Sequence, residues 1–246
     1  MNMMVMLGIV TFFYFFSLTL ICFNRDKMLP KFWNWVFIVA DIIFFFCWTY
    51  AGYQRGWLAD GFLTLDNISP LMCTVVPLTC FMSEKVKDYA FSAIAYLNLG
   101  MFLAMLISPE QAYLFSFYAE ADFLYASEAL CHMVCALFGV YLIVSGQVKI
   151  SFRYWLKSAV FLYSIITFGV FLNFVFHTSF FGMDPYGGYT IYFLKLFGSF
   201  EATLIAYYLG VLVVLTLGMQ SGYLLEKLLE KTHGREPKQE NEKGED

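Results

Sequence analysis

Residues 123–144 read FLYASEALCHMVCALFGVYLIV. At 1.5 Å per residue this stretch makes a helix of about 33 Å, enough to cross the ~30 Å hydrocarbon core of a bilayer. It contains no Lys, Arg or Asp and one Glu, Glu128, with His132 one helical turn further on. Such a stretch reads as a membrane-spanning helix, and its few polar side chains mark where chemistry is to be sought.

Moving outward, comparable apolar runs cover about 3–22, 32–50, 69–82, 89–107, 155–177 and 200–225, the third of them short. The expectation is an all-α, polytopic transmembrane bundle of about seven spans over residues 1–225, followed by a charged tail at 226–246. Composition agrees: 60% of the 246 residues are hydrophobic and 14% charged, against roughly 45–50% and 25% in soluble domains. A net charge of −4 lacks the clustered basic surface that nucleic acid requires.

Loop charges set the orientation. Thirteen of the 15 basic residues fall after runs one, three and five or in the tail, and the exceptions are Arg55 and Lys195. Asp60, Asp66, Glu110, Glu120, Asp122 and Asp184 lie in the other connections. Lys and Arg mark cytoplasmic loops, so the amino terminus is expected outside and the tail inside. The first run has no basic residue before it and no small-residue cleavage site, so it reads as an anchor. In the tail, residues 226–231 continue the apolar–charged helical pattern, and beyond Gly234 the composition is that of disorder. Residues 190–195 read as a short helix lying in the headgroup zone. All six cysteines fall within spans, where thiols pack as small apolar groups.

Ionisable groups inside a span cost roughly 2.5–3.5 kcal/mol on insertion scales and face the bundle interior. Asp41 lies about 12 Å in from the cytoplasmic edge, and Glu128 and His132 about 7 and 13 Å below the outer surface. Asn173 and His177 close the sixth run; Glu201 opens the last; Asn67, Ser69 and Cys73 open the third. Most of these share the outer half of the membrane. Glu128, His132 and Cys135 stand at i, i+4 and i+7, one helical face. Glu128 there can orient His132 as a general base, and Cys73 or a hydroxyl can serve as nucleophile. A structural role for each of these groups is the alternative. No outer loop offers a further His or Cys, so no metal centre and no cofactor are expected. Asp41 has no cationic partner in the sequence pattern and is expected either to be protonated or to bond neighbours such as Asn98 or Tyr96 of the fourth run. Gly218 and Gly222 space small residues as close helix contacts do.

Ser69-Pro70-Leu71-Met72-Cys73, Cys131-His132-Met133 with the apolar run to Gly146, Asn173, and Asp184-Pro185-Tyr186 leading through Tyr192 form a pattern across about 65–225. It resembles the YwaF-like family of bacterial integral membrane proteins, themselves distantly similar to multi-span proteins that transfer or hydrolyse lipid acyl groups. Met72 departs from that pattern, since the family usually has a histidine there; His132 matches its histidine on the fifth span. The resemblance implies a bacterial cytoplasmic-membrane protein with lipids as partners. Three functions stand as expectations: a site that binds or acts on lipid acyl groups, with His132, Glu128 and Cys73 in the chemistry and Asn67, Ser69, Asn173, His177, Glu201 and Asp41 contacting substrate; a small-solute transporter; or a structural membrane protein.

Overall fold

The computed structural model describes residues 3–24, 27, 29–56, 68–107, 122–178, 180–183 and 190–233. Among these residues the fold is all helical: α1 Met3–Phe23, α2 Pro30–Gln54, α3 Ile68–Leu78, α4 Glu84–Ile107, α5 Phe123–Val144, α6 Phe152–Phe176, α7 Thr190–Phe197 and α8 Phe200–His233, with a 3₁₀ turn at Phe180–Gly182. The helix boundaries have local causes. Pro30 stands at the start of α2, where its fixed φ fits and its missing N–H is no loss. Asp122 caps α5 by accepting from the Tyr125 N–H at 3.0 Å. α6 ends at His177, which adopts a left-handed conformation with φ 53°.

Four of these helices are long and apolar enough to cross a membrane: α2, α5, α6 and the Phe200–Lys231 part of α8. Gly8–Phe23 of α1 is a shorter apolar helix. α3 has 11 residues, about 16 Å, half of a ~30 Å core. Large apolar side chains face outward along the crossing helices, among them Phe168, Phe171, Ile205 and Val213. In water these would be a liability; in hydrocarbon they are matched to their surroundings. α8, at 34 residues, is about 51 Å long, so it outruns the core by some 20 Å. The 226–231 segment is thus helical, continuous with the last span.

α5 is the central helix, with 72% of its span buried, and α2, α4, α1 and α3 pack around it. The α2–α5 seam runs antiparallel and can be followed turn by turn. Phe37 stacks on Phe138 at 5.3 Å and lies 5.2 Å from the Tyr141 ring. One turn further along α2, Asp41 meets Cys135 and Cys131. Two turns beyond that, Trp48 lies 5.6 Å from the His132 ring. α4 approaches α5 closely at Gly139, where an added Cβ would stand 2.5 Å from the Cβ of Asn98. On the other side of α4, Gly218 of α8 sits against the main-chain carbonyl of Tyr96, and Gly222 sits against Ile150. Both glycines therefore occupy close helix contacts.

Polar pairs tie the two ends of the bundle. At one end Lys157 pairs with Asp88, Asn34 Nδ2 donates to Gln147 Oε1 at 2.8 Å, and the Tyr96 hydroxyl accepts from the Ser151 N–H at 3.0 Å. At the other end Arg55 pairs with Asp122.

Candidate functional site

Asp41, Cys73, Cys131 and Cys135 converge in the interior. Cys135 Sγ donates to Asp41 Oδ1 at 3.1 Å, and Cys131 Sγ lies 3.7 Å from the same oxygen. Cys73 Sγ stands 3.2 Å from Cys131 Sγ and 3.7 Å from Cys135 Sγ. All four side chains are buried, Asp41 completely at 0% exposure. Among the described residues Asp41 Oδ2 has no hydrogen-bond partner. Asn98 and Tyr96 are not its partners: Asn98 Nδ2 donates to the Ile94 carbonyl at 2.8 Å, and Tyr96 bonds the Lys149–Ser151 segment. The cause is the α2–α5 seam, which turns the Phe37–Asp41 face toward α5 and away from α4.

Beside this cluster lies a cavity of about 460 Å³. Met72 and Cys73 from α3, Leu97 and Asn98 from α4, and His132 and Cys135 from α5 form one side. Thr203, Tyr207, Gly210 and Val214 of α8 form the other, with Met183 and Phe197 at the end that carries Arg55 and Asp122. Successive helical residues turn by about 100°. Cys135 therefore lies between Cys131 and His132 around α5, which lets it border both the thiol cluster and the cavity.

His132 is positioned by its own helix. Its Nδ1 lies 2.8 Å from the Glu128 main-chain carbonyl. A carbonyl only accepts, so Nδ1 is the donor in this contact. Nε2 is buried without a hydrogen-bond partner among the described residues. That carbonyl holds the Nδ1 edge of the ring, and the Glu128 side chain is itself buried one turn away. Met72, where the resemblance leads one to look for a histidine, shares the cavity wall with His132.

The remaining expected site residues are distributed differently. Asn173 is buried and serves the turn that follows α6. Its Nδ2 donates to the carbonyls of Phe180 and Met183 at 2.9 and 3.0 Å, and its Oδ1 accepts from Thr178 Oγ1 and the Phe180 N–H at 2.9 and 2.8 Å. His177 is exposed at the end of α6, and Glu201 is exposed in the first turn of α8. Neither lines the cavity. Asn67 lies outside the described residues, as do the Ser69 side chain, the acidic loop residues Asp60, Asp66, Glu110, Glu120 and Asp184, and the tail beyond His233.

Two participants are not apparent from the sequence pattern alone. Glu128 and His132 draw attention on α5 ahead of Cys131, although Cys131 and Cys135 at i and i+4 already share a face. Asn98, expected as a neighbour of Asp41 or on a path leading inward from the cavity, lines the cavity itself. Comparison of the chain with protein-family models, with curated proteins and with solved structures finds no match.

Proposed function

We propose that this is a bacterial cytoplasmic-membrane protein that receives the acyl chain of a lipid in the cavity between α3, α4, α5 and α8. The observation that carries the reading is the cavity itself. Its volume falls within the roughly 300–1,000 Å³ typical of small-molecule sites, its walls are chiefly apolar side chains, and it lies among helices long enough to span a bilayer. His132, whose Nε2 has no hydrogen-bond partner among the described residues, stands on the wall of that apolar space. It is the group to accept a hydrogen bond from a hydroxyl or carboxyl at the polar end of the guest. If an acyl ester is turned over, the same nitrogen takes the proton of the attacking alcohol or water and returns it to the leaving oxygen. Cys73 is bonded to Cys131 and Cys135, which favours a hydroxyl nucleophile over this thiol.

The full topology belongs to the same proposal: seven crossings, the amino terminus outside, the tail inside, and the cavity toward the outer leaflet. Loop charge supports it, with 13 of the 15 basic residues in the connections and tail assigned to the inside. The resemblance to the YwaF-like family points the same way.

The test is photolabelling in bilayers with a phospholipid carrying a diazirine on its acyl chain. The expected labels map to α4 and α8 near Leu97 and Val211. Gly210→Trp, whose side chain starts in open space on the cavity wall, is expected to abolish them while labels on outward residues such as Phe168 persist. His132→Ala is expected to weaken labelling by lipids with a free hydroxyl or carboxyl. Equal labelling of wild type and Gly210→Trp at every site would refute the reading.

A further inference from the structure

The thiol–carboxylate cluster is not explained by lipid binding. Four side chains with ionisable protons, from three helices, meet there and bond one another. The ligand atoms of Asp41, Cys73 and Cys135 all lie within 4.8 Å of one another. Cys131 Sγ is outside that mutual group and lies beside it, 3.2 Å from Cys73 and 3.7 Å from Asp41.

We infer that Asp41, Cys73, Cys131 and Cys135 form a site for a zinc-like divalent cation. Zn–S bonds of about 2.3 Å and Zn–O bonds of about 2.1 Å give tetrahedral edges of about 3.8 Å between sulfurs and about 3.6 Å between sulfur and oxygen. The observed Cys73–Cys135 edge is 3.7 Å and the Cys131–Asp41 edge is 3.7 Å. The Cys135–Asp41 and Cys131–Cys73 edges, at 3.1 and 3.2 Å, open by about half an ångström to fit the same figure.

An independent observation marks the site as one for a ligand. Asp41 is fully buried, its Oδ1 takes both thiol contacts, and its Oδ2 has no partner among the described residues. A buried carboxyl so short of donors is expensive, and a cation held at Oδ1 compensates the carboxylate as a whole. The mixture of sulfur and oxygen selects among metals. Copper(I) prefers sulfur alone, calcium and magnesium prefer oxygen alone, and zinc takes both.

Charge balance in hydrocarbon also favours a divalent ion. With all four groups protonated the cluster is neutral. Uptake of one M²⁺ with release of two protons to solvent leaves it neutral, so no net charge is buried. No bond is oxidised or reduced. The consequence is mechanical: the ion ties α3, half a span long, to α2 and α5. Because Cys73 and Cys135 also border the cavity, it fixes one cavity wall.

The experiment uses the full chain, purified in detergent under argon with a non-thiol reductant, titrated first with Co²⁺ and then with Zn²⁺. The expected result is one equivalent of cobalt with sulfur-to-cobalt charge-transfer and tetrahedral d–d absorption, displaced by zinc, and a rise in unfolding temperature on zinc addition. Cys73→Ser, Cys135→Ser and Asp41→Asn are each expected to weaken binding on the order of 100-fold or more, beyond the roughly 10–100-fold effect of removing a group that merely orients a ligand. Cys22→Ser, Cys47→Ser and Cys80→Ser are expected to bind as wild type does. Absence of stoichiometric uptake by wild type would overturn the inference. So would cobalt absorption that survives in the Cys73→Ser/Cys135→Ser double variant, or a Cys73–Cys131 disulfide in the anaerobic protein. Wild type alone carries the first and last outcomes, so a variant that fails to fold does not blunt the test. Metal uptake is scored without lipid and photolabelling without metal, so either proposal can fail by itself.

Discussion

Asn173 offers the sharpest distinction between a side chain that builds the site and one that touches its guest. Replacing it by Ala removes four hydrogen bonds, two donated by Nδ2 and two accepted by Oδ1. Each contributes about 1 kcal/mol net. The full loss of about 4 kcal/mol is an upper figure, because Phe180 and Thr178 are half-buried and water can reach some of the released groups. We expect a destabilisation of about 2–4 kcal/mol, which in a chain of this size lowers the unfolding temperature by about 5–12 °C. Asn173→Asp keeps both accepting functions but turns an oxygen toward the carbonyls of Phe180 and Met183, so it is expected to be at least as harmful as Ala. The assay is thermal unfolding of detergent-solubilised protein, followed by size-exclusion fluorescence, with photolabelling alongside. Met183 lines the cavity and hangs on this amide, so labelling should fall in proportion to the folding defect. Wild-type thermal stability with labelling abolished would refute the reasoning and make Asn173 a ligand contact.

Gly218→Ala is expected to destabilise by about 1–3 kcal/mol, because its Cβ would run into the Tyr96 carbonyl and α8 would have to move off α4; Gly210→Ala, which meets nothing within 4 Å, is expected to be neutral or slightly stabilising in the same unfolding assay. A double-mutant cycle on Lys157→Met and Asp88→Asn should return a coupling of about 1 kcal/mol, since the lysine is nearly buried while the aspartate is partly solvated. Lys157→Met alone should lose more than Asp88→Asn, because Lys157 Nζ also lies 4.4 Å from the Tyr154 ring. Gly146→Ala is expected to cost about 1–2 kcal/mol despite open space around it, because φ there is +74°.

The helical character of the bundle was legible because the bilayer imposes one requirement on every span: about 20 apolar residues whose backbone groups satisfy one another. The same logic found the glycine contacts on α8 and the continuation of that helix past residue 225. It did not resolve α3, where the apolar run to residue 82 overstates the helix. Pro77 has no N–H to donate to the Cys73 carbonyl, and the helix ends at Leu78. From Thr79 to Met82 the chain forms a set of turns, apolar in composition but not helical.

The site was legible in its residues but not in its pairings, and the reason is rotational. Hydropathy places a residue at a depth; it says little about which neighbour its helix turns it toward. On α5 the spacing joins Glu128, His132 and Cys135 as one face. His132 and Cys135 do share the cavity wall, and the backbone oxygen of Glu128 also holds His132 Nδ1. For Asp41 the visibly polar candidates stand on α4, while the actual partners are thiols, which composition scales count as apolar. The register that brings them together is set by Phe37 stacking on Phe138, an aromatic contact with no chemistry of its own. Phe37 and Asp41 are one turn apart on α2, and Cys135 precedes Phe138 by three residues on α5. Once the rings stack with the helices antiparallel, the carboxyl has to meet the thiol. Shifting that stack, for example with Phe37→Ala, should therefore disturb the Asp41–Cys135 contact from two sides at once: a buried aromatic lost at about 3–5 kcal/mol, and weaker cobalt binding although no ligand has been touched. Cobalt affinity unchanged in a folded Phe37→Ala protein would mean that the cluster holds the seam together and the aromatic stack merely follows it.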